Sequence, residues 1–402
     1  MLAKTIEPIK KIVREHLIRE FFRTVRCPRK NVIDNLLTDR PFDYSAEWRP
    51  KFLDAMRWSF NHHRSNSAFY KKLCQKKGFG ERRIDSFEDI WDIPFVLSDV
   101  FKMYAIETRT DDMWKGEMSS SGTSGRKSKI WLDRISAQRL MFSLYQVHRA
   151  LGLVSSTPAN YLLMAYNPSL DETLGTTTSD IIMSHLTPRR GIFYGLDKDA
   201  SGKVGFLRER AAEKLRQYVK EAYPVRMLGF IHHICEVIRS YRQKYGRVEF
   251  PKDSYIVSGG GWKNIVNPYG DDFDLYAFLR ENTTLPTENM RDLYTLIEHD
   301  VFYLECAHHN KHIPNVALAC SREPRTLKRL GYGEKGLIHL YSPLVESCPA
   351  LSLLTTDYGY IGEDCACSIG GPYVKIIGRA GVAKKVTCAF TADQYVKDME
   401  KI

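Results

Sequence analysis

Apolar and polar residues along this chain follow two different periods. Residues 1–110 read mainly as helix. In "MLAKTIEPIKKIVREHLIREFF" the positions Ile6, Ile9, Ile12, Val13, Leu17 and Ile18 recur at helical spacing, the pattern of an amphipathic helix packed on a globular body. Charges run through that whole stretch, so neither a leader peptide nor a membrane span is expected there. Residues 46–66, 69–77 and "SFEDIWDIP" continue the helical pattern, each broken at a Pro or Gly signal. From about 130 to 380 the pattern changes. "NYLLMAY", "VRMLGF", "SYIVSGGG", "KGLIHLY" and "YVKIIG" read as strands, and "LRERAAEKLRQYVKEA" and "IHHICEVIRSYRQKYG" as helices. Such alternation predicts an α/β fold around a buried, largely parallel sheet. The division expected is a mainly helical region over 1–110, an α/β core over 111–379 and a short tail over 380–402, too few residues to fold alone.

Composition narrows the class. The 402 residues are 43% apolar and 27% charged, enough for a large core and against wholesale disorder. Nine cysteines are scattered along the chain without regular pairing, which points to reduced thiols in a cytoplasmic protein. The balance of 59 cations against 48 anions gives a net charge of +11, favouring anionic partners such as a nucleotide, coenzyme A or an acidic carrier protein. The cations are spread out and no nucleic-acid-binding signature appears, so nucleic acid is not the expected partner.

One stretch stands apart. "MSSSGTSGRKSKIWLD" holds six Ser/Thr hydroxyls, two glycines and three cations just before an apolar run. It reads either as a solvated loop or as a phosphate-binding loop. In the second case Gly122 and Gly125 would let backbone approach an anion, the hydroxyls of Ser120, Ser121, Thr123 and Ser124 would donate to it, and Arg126, Lys127 and Lys129 would offset its charge. Arg126 stands where a Walker loop needs its second glycine, so this is not a Walker loop.

The order S-S-G-T-S-G-x-K-S resembles the nucleotide loop of adenylate-forming enzymes, and other motifs follow in that superfamily's order. "SGGGWKN" resembles the glycine-rich turn beside the adenine, with Gly259, Gly260 and Gly261. "FYLECAHH" resembles the Y-G-x-T-E region, with Glu305 as the magnesium ligand; Phe302–Tyr303 replaces the tyrosine-glycine, and Leu304 stands where a Thr is common. "SLLTTDYGYI" resembles T-x-D-x-G, with Asp357 on the ribose hydroxyls, and "IIGRAG" resembles the G-R hinge, with Arg379 near ribose or phosphate. "HHRSNSAFYKKL", "IPFVLSDVFK" and "GEKGLIHLYSPLVESCPALSLLTTDYG" with its following C-x-C resemble LuxE-type acyl-protein synthetases and the related phenylacetate-CoA ligases over roughly residues 60–380. The resemblance implies the large N-terminal domain of an adenylate-forming enzyme, sheets flanked by helices, with the C-terminal lid truncated to a tail.

It also implies the chemistry. A carboxylate is a poor electrophile; attack of its oxygen on the ATP α-phosphate yields an acyl-adenylate and pyrophosphate, and a thiol or amine then displaces AMP. The protein's part is positioning and charge neutralisation, assigned to Lys127, Glu305 and Arg379 with the 120–127 loop and Asp357. The substrate would be a carboxylic acid and the acceptor a carrier protein, coenzyme A, a partner enzyme or the chain's own Cys388, whose alternative is a small hydrophobic residue in "VTCAF". Activation of an amine or of nitrite is the nearest alternative reaction; a non-catalytic nucleotide- or nucleic-acid-binding protein is the remote one. Phe230 and His232 are candidate walls of the acyl pocket or ordinary core residues. The resemblance further implies a Cys/His cluster followed by C-x-C, making Cys306, His312, Cys365 and Cys367 a candidate tetrahedral zinc quartet. His308 and His309 are alternatives for substrate or nucleotide contact.

Overall fold

The computed structural model describes residues 24–112, 116–120, 128–170, 175–260 and 273–379. Its strands, in chain order, are β1 (Val96–Leu97), β2 (Gly116–Ser119), β3 (Lys129–Leu132), β4 (Ala159–Tyr166), β5 (Arg189–Lys198), β6 (Val204–Phe206), β7 (Val225–Phe230), β8 (Tyr255–Gly259), β9 (Met290–Tyr294), β10 (Tyr303–Leu304), β11 (Lys311–His312), β12 (Leu318–Arg322), β13 (Gly336–Tyr341), β14 (Ser352–Gly362) and β15 (Tyr373–Arg379). The chain divides into two compact units, one of them Leu151–Tyr294 and the other Cys27–Ala150 together with the chain from Thr295 onward.

The Leu151–Tyr294 unit is the α/β part. Its strands lie in the order β9-β8-β7-β4-β5-β6, parallel except where β6 turns back along β5. β4 is buried from Ala159 through Ala165, the continuous apolar run of a strand covered on both faces. Helix Arg208–Lys220 turns Ala211, Ala212, Leu215 and Tyr218 inward, at the i, i+1, i+4, i+7 spacing of one helical face. These side chains join Leu162, Met227, Ile256 and Met290 of the sheet, and Ile234 and Ile238 of helix Ile231–Tyr245, in one core.

The other unit departs from the expected parallel sheet. Its strands run β11-β15-β14-β13-β12 with every neighbouring pair antiparallel, and β1 adds to β14 in parallel. The physical reason is connection length: no crossover helix separates β12, β13, β14 and β15, and parallel neighbours require one. β2 and β3 form a separate antiparallel ribbon. Helices Trp48–Asn66 and Ala68–Lys76 match the sequence reading closely, the second capped by Ser67, whose side chain accepts from Tyr70 N–H. "SFEDIWDIP" forms only the short 3-10 helix Glu88–Asp92. Among the described residues no helix is long and apolar enough to cross a membrane.

Candidate active site and a cysteine–histidine centre

The hydroxyl-rich stretch connects β2 to β3, and its two ends are tied together. Ser120 N–H donates to the Ser128 carbonyl at 3.0 Å, and Ser128 N–H donates to Ser120 Oγ at 2.9 Å. Lys129, just inside β3, pairs with Glu117 at 3.3 Å. Ser121, Gly122, Thr123, Ser124, Gly125 and Lys127 lie outside the described residues, as do Gly261 and Cys388.

Ser128 Oγ is fully buried and makes no hydrogen bond of ordinary length; its hydroxyl faces the carboxyl of Glu298, 5% exposed. Burial pushes the Glu298 carboxyl above the usual range, against the opposing pull of that hydroxyl and of backbone N–H. Asp300, two residues on and also buried, is raised to about 7, first by burial and then by the Glu298 charge. Asp300 occupies a left-handed backbone conformation (φ 52°), and its N–H donates to the Leu296 carbonyl at 2.6 Å. Glu298 was not among the residues singled out from the sequence, yet a signal for it exists. "YTLIE" (294–298) carries Tyr and Glu at the spacing of Y-G-x-T-E, whereas Glu305 has Val301 four residues before it.

Glu305 is 2% exposed, and its Oε1 is 3.0 Å from Lys311 Nζ while Oε2 is 3.5 Å from His309 Nδ1. Its charge is therefore already offset inside the fold. As oxygen donors for a hard cation such as Mg²⁺, both Glu298 with Asp300 and Glu305 have suitable chemistry; Glu298 is the one that faces the end of the hydroxyl-rich loop.

Asp357 and Arg379 are brought together. They are register partners across β14 and β15, with Arg379 Nε 3.5 Å from Asp357 Oδ1. Asp357 is buried while Arg379 is half exposed. Asp357 N–H donates to Thr355 Oγ1 at 3.1 Å, which fixes the backbone at the strand position carrying the carboxylate.

In the Leu151–Tyr294 unit, Gly259 ends β8 and Gly260 takes φ 77°, a conformation that favours glycine. Phe230 and His232 are both buried at the junction of β7 and helix Ile231–Tyr245, their rings stacked with centroids 5.7 Å apart.

The sulfur and imidazole groups converge as expected from the sequence. The ligand atoms of Cys306, His312, Cys365 and Cys367 all lie within 4.8 Å of one another. Cys306 Sγ and Cys365 Sγ are 3.7 Å apart, close to the roughly 3.8 Å edge of a tetrahedron with Zn–S of about 2.3 Å. Cys367 Sγ is 3.1 Å from His312 Nε2. His312 Nδ1 is 2.8 Å from the Gly370 carbonyl, so this nitrogen carries the proton and leaves Nε2 as the ligating atom. Burial lowers the His312 pKa, the Gly370 carbonyl opposing, and keeps the imidazole neutral as a metal ligand requires. Donors also point at the sulfurs: His308 N–H at Cys306 Sγ and Asn310 Nδ2 at Cys365 Sγ, each 3.3 Å, the arrangement thiolates favour. His308 and His309 lie in the turn between Cys306 and β11; neither belongs to the quartet.

The chain is similar to proteins of one family over most of its length. Residues 27–396 match the family model described as Acyl-protein synthetase, LuxE. The long-chain-fatty-acid–luciferin-component ligase of Vibrio harveyi is 27% identical over 84% of this chain and 87% of its own length. The protein of the same description from Aliivibrio fischeri is 25% identical over 86% and 88%. Among solved structures, 2-hydroxyisobutyryl-CoA ligase in complex with 2-HIB-AMP and CoA, in the thioesterification state, has a TM-score of 0.61 at 14% identity, covering 85% of this chain and 70% of that one. Its open conformation gives 0.60 at 13% identity, covering 85% and 76%. The fold is thus that of adenylate-forming enzymes. The activity is that of a ligase, ATP-dependent formation of an acyl-adenylate followed by acyl transfer. The chain belongs to the LuxE acyl-protein synthetase family.

Proposed function

We propose that the acid activated is a long-chain fatty acid and that the acceptor is a protein thiol or amine, with the nucleotide-binding side chains carried by the unit that contains β2, β3, β14 and β15. The acid class comes from the description of the Vibrio harveyi and Aliivibrio fischeri relatives. The observation that carries the site assignment is the Asp357–Arg379 pair, in the same unit as the Ser120/Ser128-closed loop. Asp357 accepts from the ribose hydroxyls, Arg379 balances the α-phosphate, and the loop from Ser120 to Lys127 steadies the β- and γ-phosphates. Glu298, with Asp300 beside it, is assigned to Mg²⁺, in preference to Glu305, which Lys311 already neutralises. That ion, when bound, offsets phosphate charge. The carboxylate oxygen attacks the α-phosphorus and pyrophosphate leaves; the acceptor then attacks the acyl carbon and AMP leaves. Cys306, His312, Cys365 and Cys367 are assigned to a structural zinc ion.

ATP–pyrophosphate exchange over a panel of acids tests this reading, with mass spectrometry of the Cys388 peptide after turnover. Exchange rising with acyl chain length is expected. Exchange confined to aryl or short acids, or supported only by an amine or nitrite, overturns the acid assignment; absence of acyl mass at Cys388 leaves a separate protein as acceptor. Glu298→Gln should lower exchange more than Glu305→Gln, and the reverse order would return the magnesium role to Glu305.

A further inference from the structure

The position of the cysteine–histidine centre suggests more than local stability. Cys306 and His312 lie at the two ends of a short hairpin closed by the Glu305–Lys311 bridge. Cys365 and Cys367 lie in the connection 363–372 between β14 and β15, which holds no regular element. β11 also hydrogen-bonds along β15, with Lys311 opposite Val374 and His312 opposite Tyr373. The four ligands therefore tie the turn end of the β14–β15 ribbon to its neighbouring hairpin.

That ribbon carries a bulge between the centre and the Asp357–Arg379 pair. Its pairing runs from Gly362 opposite Tyr373, beside the centre, to Asp357 opposite Arg379, with a register shift between Tyr358 and Gly359. Asp357 is five residues from Gly362, about 17 Å along the strand. The shift leaves Ile377 as an extra residue on β15, a bulge of the kind that re-aims the side chains beyond it, and a one-residue slip in register would send those side chains to the other face. Gly359 sits so tightly against the Lys375 carbonyl that a Cβ there would clash, so the pairing has little steric freedom once its end is fixed. Left untied, a ten-residue connection retains most of its loop entropy.

We propose that the Cys306/His312/Cys365/Cys367 centre is a positioning staple. By fixing the 363–372 connection, its metal ion holds the ribbon in the register that places Asp357 against Arg379. This rests on the zinc and ribose assignments above, and the experiment separates their failure from its own.

The test uses the full chain and a Cys365→Ser/Cys367→Ser variant. Zinc is measured by elemental analysis, cobalt(II) substitution reports thiolate charge-transfer bands, amide exchange is read over 352–362 and 373–379, and KM is measured for ATP and for the acid separately. The expected outcome is one zinc per chain in the wild type, less than a tenth in the variant, faster exchange in those two strands, and a KM for ATP raised at least tenfold while KM for the acid stays within twofold. Zinc present in the wild type and lost in the variant, with ATP KM and ribbon exchange unchanged, overturns the staple and leaves the zinc assignment standing. A wild type without metal or cobalt bands overturns both. Altered ribbon exchange with an unchanged KM for ATP overturns the ribose assignment of Asp357 and, with it, the positioning role. If the variant does not fold, chelator-stripped wild type takes its place; loss of protection throughout the unit then overturns a local staple in favour of a general folding role.

Discussion

Arg139 has no exposed surface, and its guanidinium joins three separate stretches of chain. Nε is 2.6 Å from Asp34 Oδ1, Nη1 is 2.7 Å from Glu346 Oε1, and Nη2 donates to Asn31 Oδ1 at 2.9 Å; Lys30 adds a second contact to Glu346 at 2.9 Å. Burial alone would raise the pKa of both carboxyls, but Arg139 and the surrounding donors hold each below its ordinary value. Removing one member of a buried set leaves the others charged and uncompensated. Arg139→Leu is therefore expected to lose about 3–5 kcal/mol at pH 7, read by urea unfolding. Because these carboxyls have depressed folded-state pKa values, their stabilisation is present above the unfolded values of about 3.9–4.3 and is lost as pH falls through the folded ones. The gap between wild type and variant should shrink below about pH 4; a gap that stays constant down to pH 3 would mean the ion pairs contribute nothing. Asp357 is also buried, at 7% exposed, but it is expected to act on ligand rather than on the fold. Asp357→Ala should weaken ATP binding about ten- to a hundredfold, from charge-assisted bonds of about 1.5–3 kcal/mol each. Calorimetry showing unchanged ATP affinity in a folded variant removes the residue from the site.

Gly229 shows how one position can govern the meeting of two strands and a helix. It lies next to the end of β7, just before helix Ile231–Tyr245, at φ 125°, and a Cβ there would stand 2.6 Å from the Met164 carbonyl of β4. Gly229→Ala combines backbone strain with an overlap against main chain, so a loss of about 1–3 kcal/mol is expected, read as a lower melting temperature. An unchanged melt would show that β4 and β7 can separate locally at no cost. The strands around this junction could be read from the sequence because their apolar runs are local and continuous, as in "YLLMA" and "VRMLGF". β5 and β12 could not. "RRGIFYGLDK" is mostly half exposed and interrupted by glycines, and "LACSR" is short, so partners distant in sequence decide their state. The antiparallel order of β12–β15 was hidden for the same reason. The cysteine–histidine quartet was legible only through the family resemblance, because a lone C-x-C and histidines on a loop say little by themselves; the fold brings its four ligand atoms together. Glu298 lies seven residues upstream of the acid in "FYLE", and its position facing Ser128 is set by the fold rather than by any local pattern.

Each of the two units holds a core of its own, and this sets how the chain should come apart. In the Leu151–Tyr294 unit, Leu215 is fully buried among Leu162, Met227 and Ile234. In the other unit, Ile338, Leu340, Leu353 and Leu354 are buried between neighbouring strands, and the Arg139 network fastens residues 30–34 and 346 to helix Arg134–Ala150. The latter unit is discontinuous in sequence, so its two halves must find each other across the Leu151–Tyr294 segment, a pairing of high contact order. Leu215→Ala leaves a cavity whose cost is about 2–5 kcal/mol, and that cost falls first on the core that contains it. Native-state amide exchange at low urea should therefore rise in β4, β7 and β8 while β13 and β14 keep wild-type protection, the signature of separate cooperative units. Equal loss of protection in all five strands would show that the two cores unfold as one, and a single free energy would then describe the whole chain.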